Sequence, residues 1–244
     1  MIAFLLALTL RQLLFRKTTL MLAGLASLPV LVALVFRLSD STEDPNHWTA
    51  RALYLGLMMS VVLPLTALLY GTSVLGDELE DGTAVYLLTK PVARWQILAP
   101  KVIAAWIVTS ILVVVSTLIS GLISIQSGDT DIVFGACIAV VIGALAYCAV
   151  FAFVSLISNH ALIAGLVYIF LWEGALSGLF EGLRYLSIRH YTIGISDWLG
   201  GNIPNTYDAY VSGQTALILA IAVTLIAALM AHRRLQQIEV REAA

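Results

Sequence analysis

The chain has 244 residues, 60% of them hydrophobic and only 11% charged, with a mean hydropathy of +0.96. Soluble globular domains are about 45–50% apolar and about 25% charged, so this composition excludes an ordinary soluble domain and indicates an all-α polytopic membrane protein. A net charge of −2 without any Lys/Arg stripe excludes a nucleic-acid binder.

Residues 1–17, MIAFLLALTLRQLLFRK, are helix-prone but short for a span, and their charges Arg11, Arg16 and Lys17 come late. This order does not fit a cleavable signal. The favoured reading is an interfacial helix on the inner leaflet; the alternative is an extension of the first span.

A helix needs roughly 20 mostly apolar residues to cross a bilayer. Six stretches qualify, at 18–38, 52–75, 101–125, 132–157, 161–180 and 213–231. Pro29 and Pro64 predict kinks in the first two. The acidic 39–51 connection carries Pro45, QSGDTD and SNH make short turns, and the long outer or re-entrant segment 181–212 has Gly200, Gly201 and Pro204 as breakers. Cys137 and Cys148 share one apolar run with no CxxC or Cys/His spacing, which predicts buried free thiols and no metal site.

Six spans put both termini on one side. Nine Lys/Arg (Arg11, Arg16, Lys17, Lys90, Arg94, Lys101, Arg233, Arg234, Arg241) fall on that side and four (Arg37, Arg51, Arg184, Arg189) on the other. The positive-inside bias makes the termini cytoplasmic and the protein a multi-pass inner-membrane one.

The segment 76–100 also faces the cytoplasm on this count. Within it Asp77, Glu78, Glu80 and Asp81 bring four of the chain's 15 acids into five positions. Anionic lipid would repel them there. A docking protein with basic groups gives them a purpose; a solvated loop is the bland alternative. Gly82 suits a turn, Thr83 a cap, and Pro91 the end of the element, while Trp95 and Lys101 suit the headgroup boundary.

The run GTSVLGDELEDGTAVYLLTKPVARWQILAPK (71–101) resembles the cytoplasmic connection after the second span of type 2 ABC exporter permeases. The matching residues are Glu80, Gly82, Thr83, Leu87, Leu88, Pro91, Val92, Arg94 and Lys101, with Pro100 where a Gly is commoner. NHALIAGLVYIFLWEGALSGL (159–179) is similar to the fifth span of one branch, and RYLSIRHY (184–191) fits the same branch. The resemblance implies the type 2 permease fold, a second permease copy as homodimer partner, and a separately encoded ABC ATPase. It also implies that Asp77, Glu78, Glu80, Asp81, Gly82, Thr83, Pro91 and Arg94 couple to that ATPase. No G-x-x-x-x-G-K-[ST] loop occurs and the tail after the last span is short. The chain is then not an enzyme and binds no cofactor, ATP and Mg belonging to the partner.

Glu173 lies deep in the fifth span, where an ionisable residue is a functional candidate by default. It can line a translocation path, bind a cationic group, hold a structural hydrogen bond, or sit harmlessly near the outer interface if the span is short. Gly174, Gly178 and Gly182, four residues apart, predict a helix-packing face within the chain. A dimer contact or a break in the span are the alternatives. Two other functions compete with transport. One is a non-transporting scaffold or maturation factor of the same fold working with an ATPase. The other is an intramembrane enzyme, opposed by the lack of H-E-x-x-H or G-x-S-x-G and resting on Glu173 with His190 alone.

Overall fold

A computed structural model describes residues 2–14, 17–39, 43–80, 94–125, 130–158, 160–201 and 209–237; for 2–5, 14, 17, 75, 77–80 and 181 it describes the backbone only. Among these residues every element is helical. They comprise α1 (Ile2–Leu14), α2 (Lys17–Leu38), a single turn α3 (Pro45–Trp48) continued by π-helical turns (Thr49–Val62) into α4 (Leu63–Glu80), and α5 (Trp95–Ser124). Then come α6 (Thr130–Ile157), α7 (Ala161–Val167) with π-helical turns (Tyr168–Leu176) and α8 (Ser177–Leu179), a 3-10 turn (Glu181–Leu186), α9 (Ile188–Leu199) and α10 (Gly213–Gln237). Six helices are long and apolar enough to cross a membrane: Thr18–Leu38, Pro45–Val74, Trp95–Ser124, Thr130–Ile157, Ala161–Leu179 and Gly213–Gln237.

Several boundaries differ from the hydropathy reading, each for a local reason. Pro45 starts the second span rather than breaking the chain before it. It stands at the first helical position, where its missing N–H is not needed, and the Asp44 side chain caps the end by accepting from the Asn46 N–H at 3.2 Å. Trp48 then stacks on Phe36 of α2, ring centroids 3.8 Å apart. The π-helical turns stop at Leu63, whose N–H reaches Met58 O, five residues back. Pro64, next in line, has no N–H to give, so the change of helical register coincides with it. The third span starts at Trp95, about one and a half turns before Lys101.

Polar contacts fix the two ends of the bundle. At one end Lys101 Nζ donates to Val74 O at 3.0 Å and Arg94 Nη1 to Leu235 O at 2.7 Å. At the other, Thr49 Oγ1 donates to Ser124 Oγ at 2.8 Å and Tyr54 OH to Thr117 O at 3.1 Å. We call these the foot end and the hairpin end. α1 packs on α5 through Thr9 and Leu13, both buried, with Leu6 and Leu10 half-buried beside them. α2 buries only the narrow seam Leu22, Ala26, Pro29 and Ala33; most of its other side chains, such as Met21 and Val35, stay exposed.

α6 is the centre of the bundle, in contact with α4, α5, α9 and α10. Its core face is built of small residues, Ala136, Ala139, Gly143, Ala144 and Ala152, which let neighbouring backbones come close without a solvent-driven hydrophobic force. α9 uses this directly, running along α6 with Thr192 against Gly143 and Gly200 against Gly135. A Cβ on Gly135 would stand 2.6 Å from Gly200 N, and one on Gly143 would strike Thr192 Cγ2 and come within 3.1 Å of Leu63. Gly143→Leu is therefore expected to destabilise the chain by about 1–3 kcal/mol, as overpacked cores do, read as a lower melting temperature in detergent. Gly201, at φ +90°, supplies the left-handed turn that ends α9.

Candidate functional site

Two groups of polar side chains stand out. At the foot end, α4 continues past the apolar part of the second span to Glu80 with no break. Asp77, Glu78 and Glu80 therefore lie on its last turn rather than in a loop. Carboxylates at a helix C-terminus oppose the helix dipole, at a cost of about 0.3–1 kcal/mol each, so stability does not explain why they are there. Asp81, Gly82, Thr83 and Pro91 lie outside the described residues.

Arg94 gives its Nη1 to Leu235 O in the last turn of α10, where a cation is favoured by the dipole. Lys101 is 4% exposed and bonded to Val74 O, six residues into a helix that already begins at Trp95. Together these two bonds tie the feet of α4, α5 and α10. Arg94→Ala is expected to lower stability by about 1–2 kcal/mol, measured as an earlier melting transition with the helical signal at low temperature unchanged.

The second group surrounds Glu173, which is 3% exposed within the single chain. Its Oε1 accepts from Tyr168 OH at 3.0 Å and from the Ile188 N–H at 3.1 Å, and its Oε2 accepts from Tyr147 OH. Ser177 Oγ donates to the Glu173 carbonyl at 2.6 Å. The carboxyl group thus joins the fifth span, the central helix α6 and the first turn of α9, sitting at the positive end of the α9 dipole. Of the four readings of Glu173, the geometry matches the structural hydrogen bond; a carboxyl group closed inside one chain lines no path on that chain's surface. His190 does not pair with it. The His190 Nδ1 lies 3.0 Å from Ser187 Oγ instead, which removes the pair on which an enzyme reading rested.

Gly174, Gly178 and Gly182 do not form a packing face within the chain. The helix ends at Leu179, so Gly182 falls in the 3-10 turn and off the common face. A Cβ on Gly178 or Gly182 would meet nothing within 4 Å, and on Gly174 only the Ile169 carbonyl of its own helix, at 3.6 Å. Close approaches are made instead by other glycines, among them Gly135, Gly143 and Gly194 on or against α9, Gly71 against Phe151, and Gly165 of the fifth span against Leu68. Gly178→Ala is expected to leave monomer stability within about 0.5 kcal/mol of wild type; a large loss on thermal melting would restore the packing role.

Sequence reasoning found Glu173 but missed its partners. Tyr147 and Tyr168 read as ordinary aromatic residues of apolar spans. The signal for them is that a buried tyrosine hydroxyl needs a hydrogen-bond partner. Ser187, which caps α9 by accepting from the His190 N–H, and the arginines at 184 and 189 were likewise legible only as loop residues.

The model of the ABC-2 family transporter protein matches residues 38–240, from the end of α2 to beyond α10. The chain belongs to the ABC-2 transporter family. It is a multi-pass membrane permease component of an ABC system. No curated protein matches it. In this permease both polar groups fall inside the matched range: the acidic foot of α4 with its tethers, and the Glu173 clasp that seats α9 against the spans.

Proposed function

We propose that this permease is the transmembrane half of an ATP-driven exporter, that two copies form the complete pore, and that a separately encoded ATPase drives it. The ATPase grips the segment 76–100, and the foot end faces the cytoplasm of the inner membrane, as the nine-to-four distribution of Lys and Arg favours. The chain binds no nucleotide itself; ATP and Mg sit in the partner. The carrying observation is the family match over residues 38–240.

The geometry of the foot supports the coupling route. The acids at 77, 78 and 80 stand on a helix that runs unbroken into the second span, so a partner holding that turn has a stiff lever and not a slack loop. The bonds from Lys101 to Val74 and from Arg94 to Leu235 carry a displacement of this foot into the third and sixth spans. The long apolar exposure of α2 and of the fifth span leaves surface for lipid and for a second copy.

Co-expression with candidate ABC ATPases from the same organism, followed by affinity purification, tests the proposal. The expected product contains two permease chains and two ATPase chains and hydrolyses ATP, with hydrolysis lost when the ATPase phosphate-loop lysine is replaced. A permease that purifies alone, with the ATPase fully soluble, refutes it.

A further inference from the structure

The two sides of the sixth span differ. α10 packs on α6 and α9, and it buries Ala216, Ala220, Ala227, Ala231 and Leu235. On its other side Leu225, Ile226, Leu229 and Met230 are exposed, Leu229 by 61%. In a spanning helix such a face lies against acyl chains. Arg233 and Arg234 follow Leu229 and Met230 by four residues each, which puts them one turn further along the same side, and both are exposed. The apolar stripe thus ends in two consecutive guanidiniums that point away from the bundle.

Their depth matches the level of lipid phosphates. From Gly213 to Arg233 α10 rises roughly 30 Å at ~1.5 Å per residue, and the hydrocarbon core of a bilayer is about 30 Å thick. Trp95 marks the same level independently of that length. Arg94 Nη1 donates to Leu235 O at 2.7 Å, so the start of α5 stands beside the last turn of α10. The Trp95 ring next to it is 50% exposed, as suits a tryptophan among headgroups. At this level an arginine lays its stem on apolar surface and brings its charged head to the phosphates. A soluble protein would have to displace acyl chains from the stripe to reach the same pair, so a lipid is the better occupant.

We propose that Arg233 and Arg234 bind the headgroup of an anionic phospholipid whose acyl chains lie along Leu225, Ile226, Leu229 and Met230. A guanidinium offers parallel N–H groups that match two phosphate oxygens at once. The dipole of α10 opposes an anion at its C-terminal end, and the Arg94 guanidinium bonded to Leu235 O offsets that opposition. A zwitterionic lipid brings its own ammonium to the arginines and loses the advantage. The site concerns binding to a spanning helix. It stands whichever way the chain is oriented and whether or not an ATPase docks at the foot.

The test uses the full-length chain in detergent with equal, dilute phosphatidylglycerol and phosphatidylethanolamine, the retained lipids being counted by native mass spectrometry. Wild type is expected to prefer phosphatidylglycerol by about tenfold or more, the scale of two arginines facing anionic headgroups. Arg233→Gln with Arg234→Gln should bring the two lipids to near parity. Both side chains are exposed, so this variant should melt with wild type. Arg233→Lys with Arg234→Lys keeps the charge and should keep most of the preference. Arg37→Gln removes an exposed charge at the hairpin end, where Phe36 stacks on Trp48, and should leave the preference intact. Arginines already engaged by the chain's own acids would leave wild type without any preference. That result, a preference that survives both glutamines, or an equal loss in Arg37→Gln would each overturn the proposal.

Discussion

Replacing Glu173 by alanine is expected to destabilise the permease by roughly 3 kcal/mol or more, counting about 1 kcal/mol or above for each buried donor left without an acceptor. Three donors lose their acceptor at once: Tyr147 OH, Tyr168 OH and the Ile188 N–H. Interhelical hydrogen bonds in membrane proteins average only about 0.6 kcal/mol in double-mutant cycles, but those values describe pairs removed together. Here one deletion orphans groups on three elements, and the site is 3% exposed, so water does not easily replace the carboxyl group. The loss should appear first as release of α9, because the Ile188 N–H belongs to its first turn.

Glu173→Gln separates structure from transport. The amide oxygen can still accept, its size is nearly unchanged, and a tyrosine hydroxyl can turn to accept from the new NH2 group. Melting should recover most of the way toward wild type. The measurement is thermal unfolding of the purified chain in detergent, with hydrogen exchange over 188–199 as the local readout. An alanine variant that melts with wild type, and whose α9 amides stay protected, contradicts the clasp.

The fold was largely readable because bilayer physics leaves few choices. An apolar run of twenty residues must satisfy its own backbone, so hydropathy alone locates the spans. What it misplaced were their ends. Pro45 looks like a breaker until Asp44 is seen capping it, and Lys101 looks like the start of the third span until the helix is seen to start at Trp95. Both errors come from reading charge and proline as boundaries when each is compatible with a helix that begins a little earlier.

The Glu173 site was half-legible for a different reason. An acid in an apolar span announces itself, but two of its three partners lie 26 residues before it and 15 after it in the chain. No local periodicity encodes those separations. The glycine repeat misled for the opposite reason, since a spacing of four has meaning only while the helix lasts, and here it ends at Leu179.

The acidic foot carries the second large effect. Asp77, Glu78 and Glu80 stand on the last turn of α4, where the helix dipole makes them mildly unfavourable, so changing their sign should not harm the isolated permease. Lysines at 78 and 80 would even suit that helix end. Against a basic docking surface the same change turns attraction into like-charge repulsion, which costs several kcal/mol at an interface. That corresponds to roughly a hundredfold weaker association or more. The foot is tied to the third and sixth spans through Lys101 and Arg94, and neither bond is touched by the substitutions.

Affinity purification of the co-expressed pair carrying Glu78→Lys with Glu80→Lys is the most direct test of ATPase coupling through this foot. The expected result is a permease that is made, inserted and melts as wild type, but that brings down no ATPase and supports no coupled hydrolysis. A stable, ATP-hydrolysing complex with both charges reversed would contradict coupling through the foot.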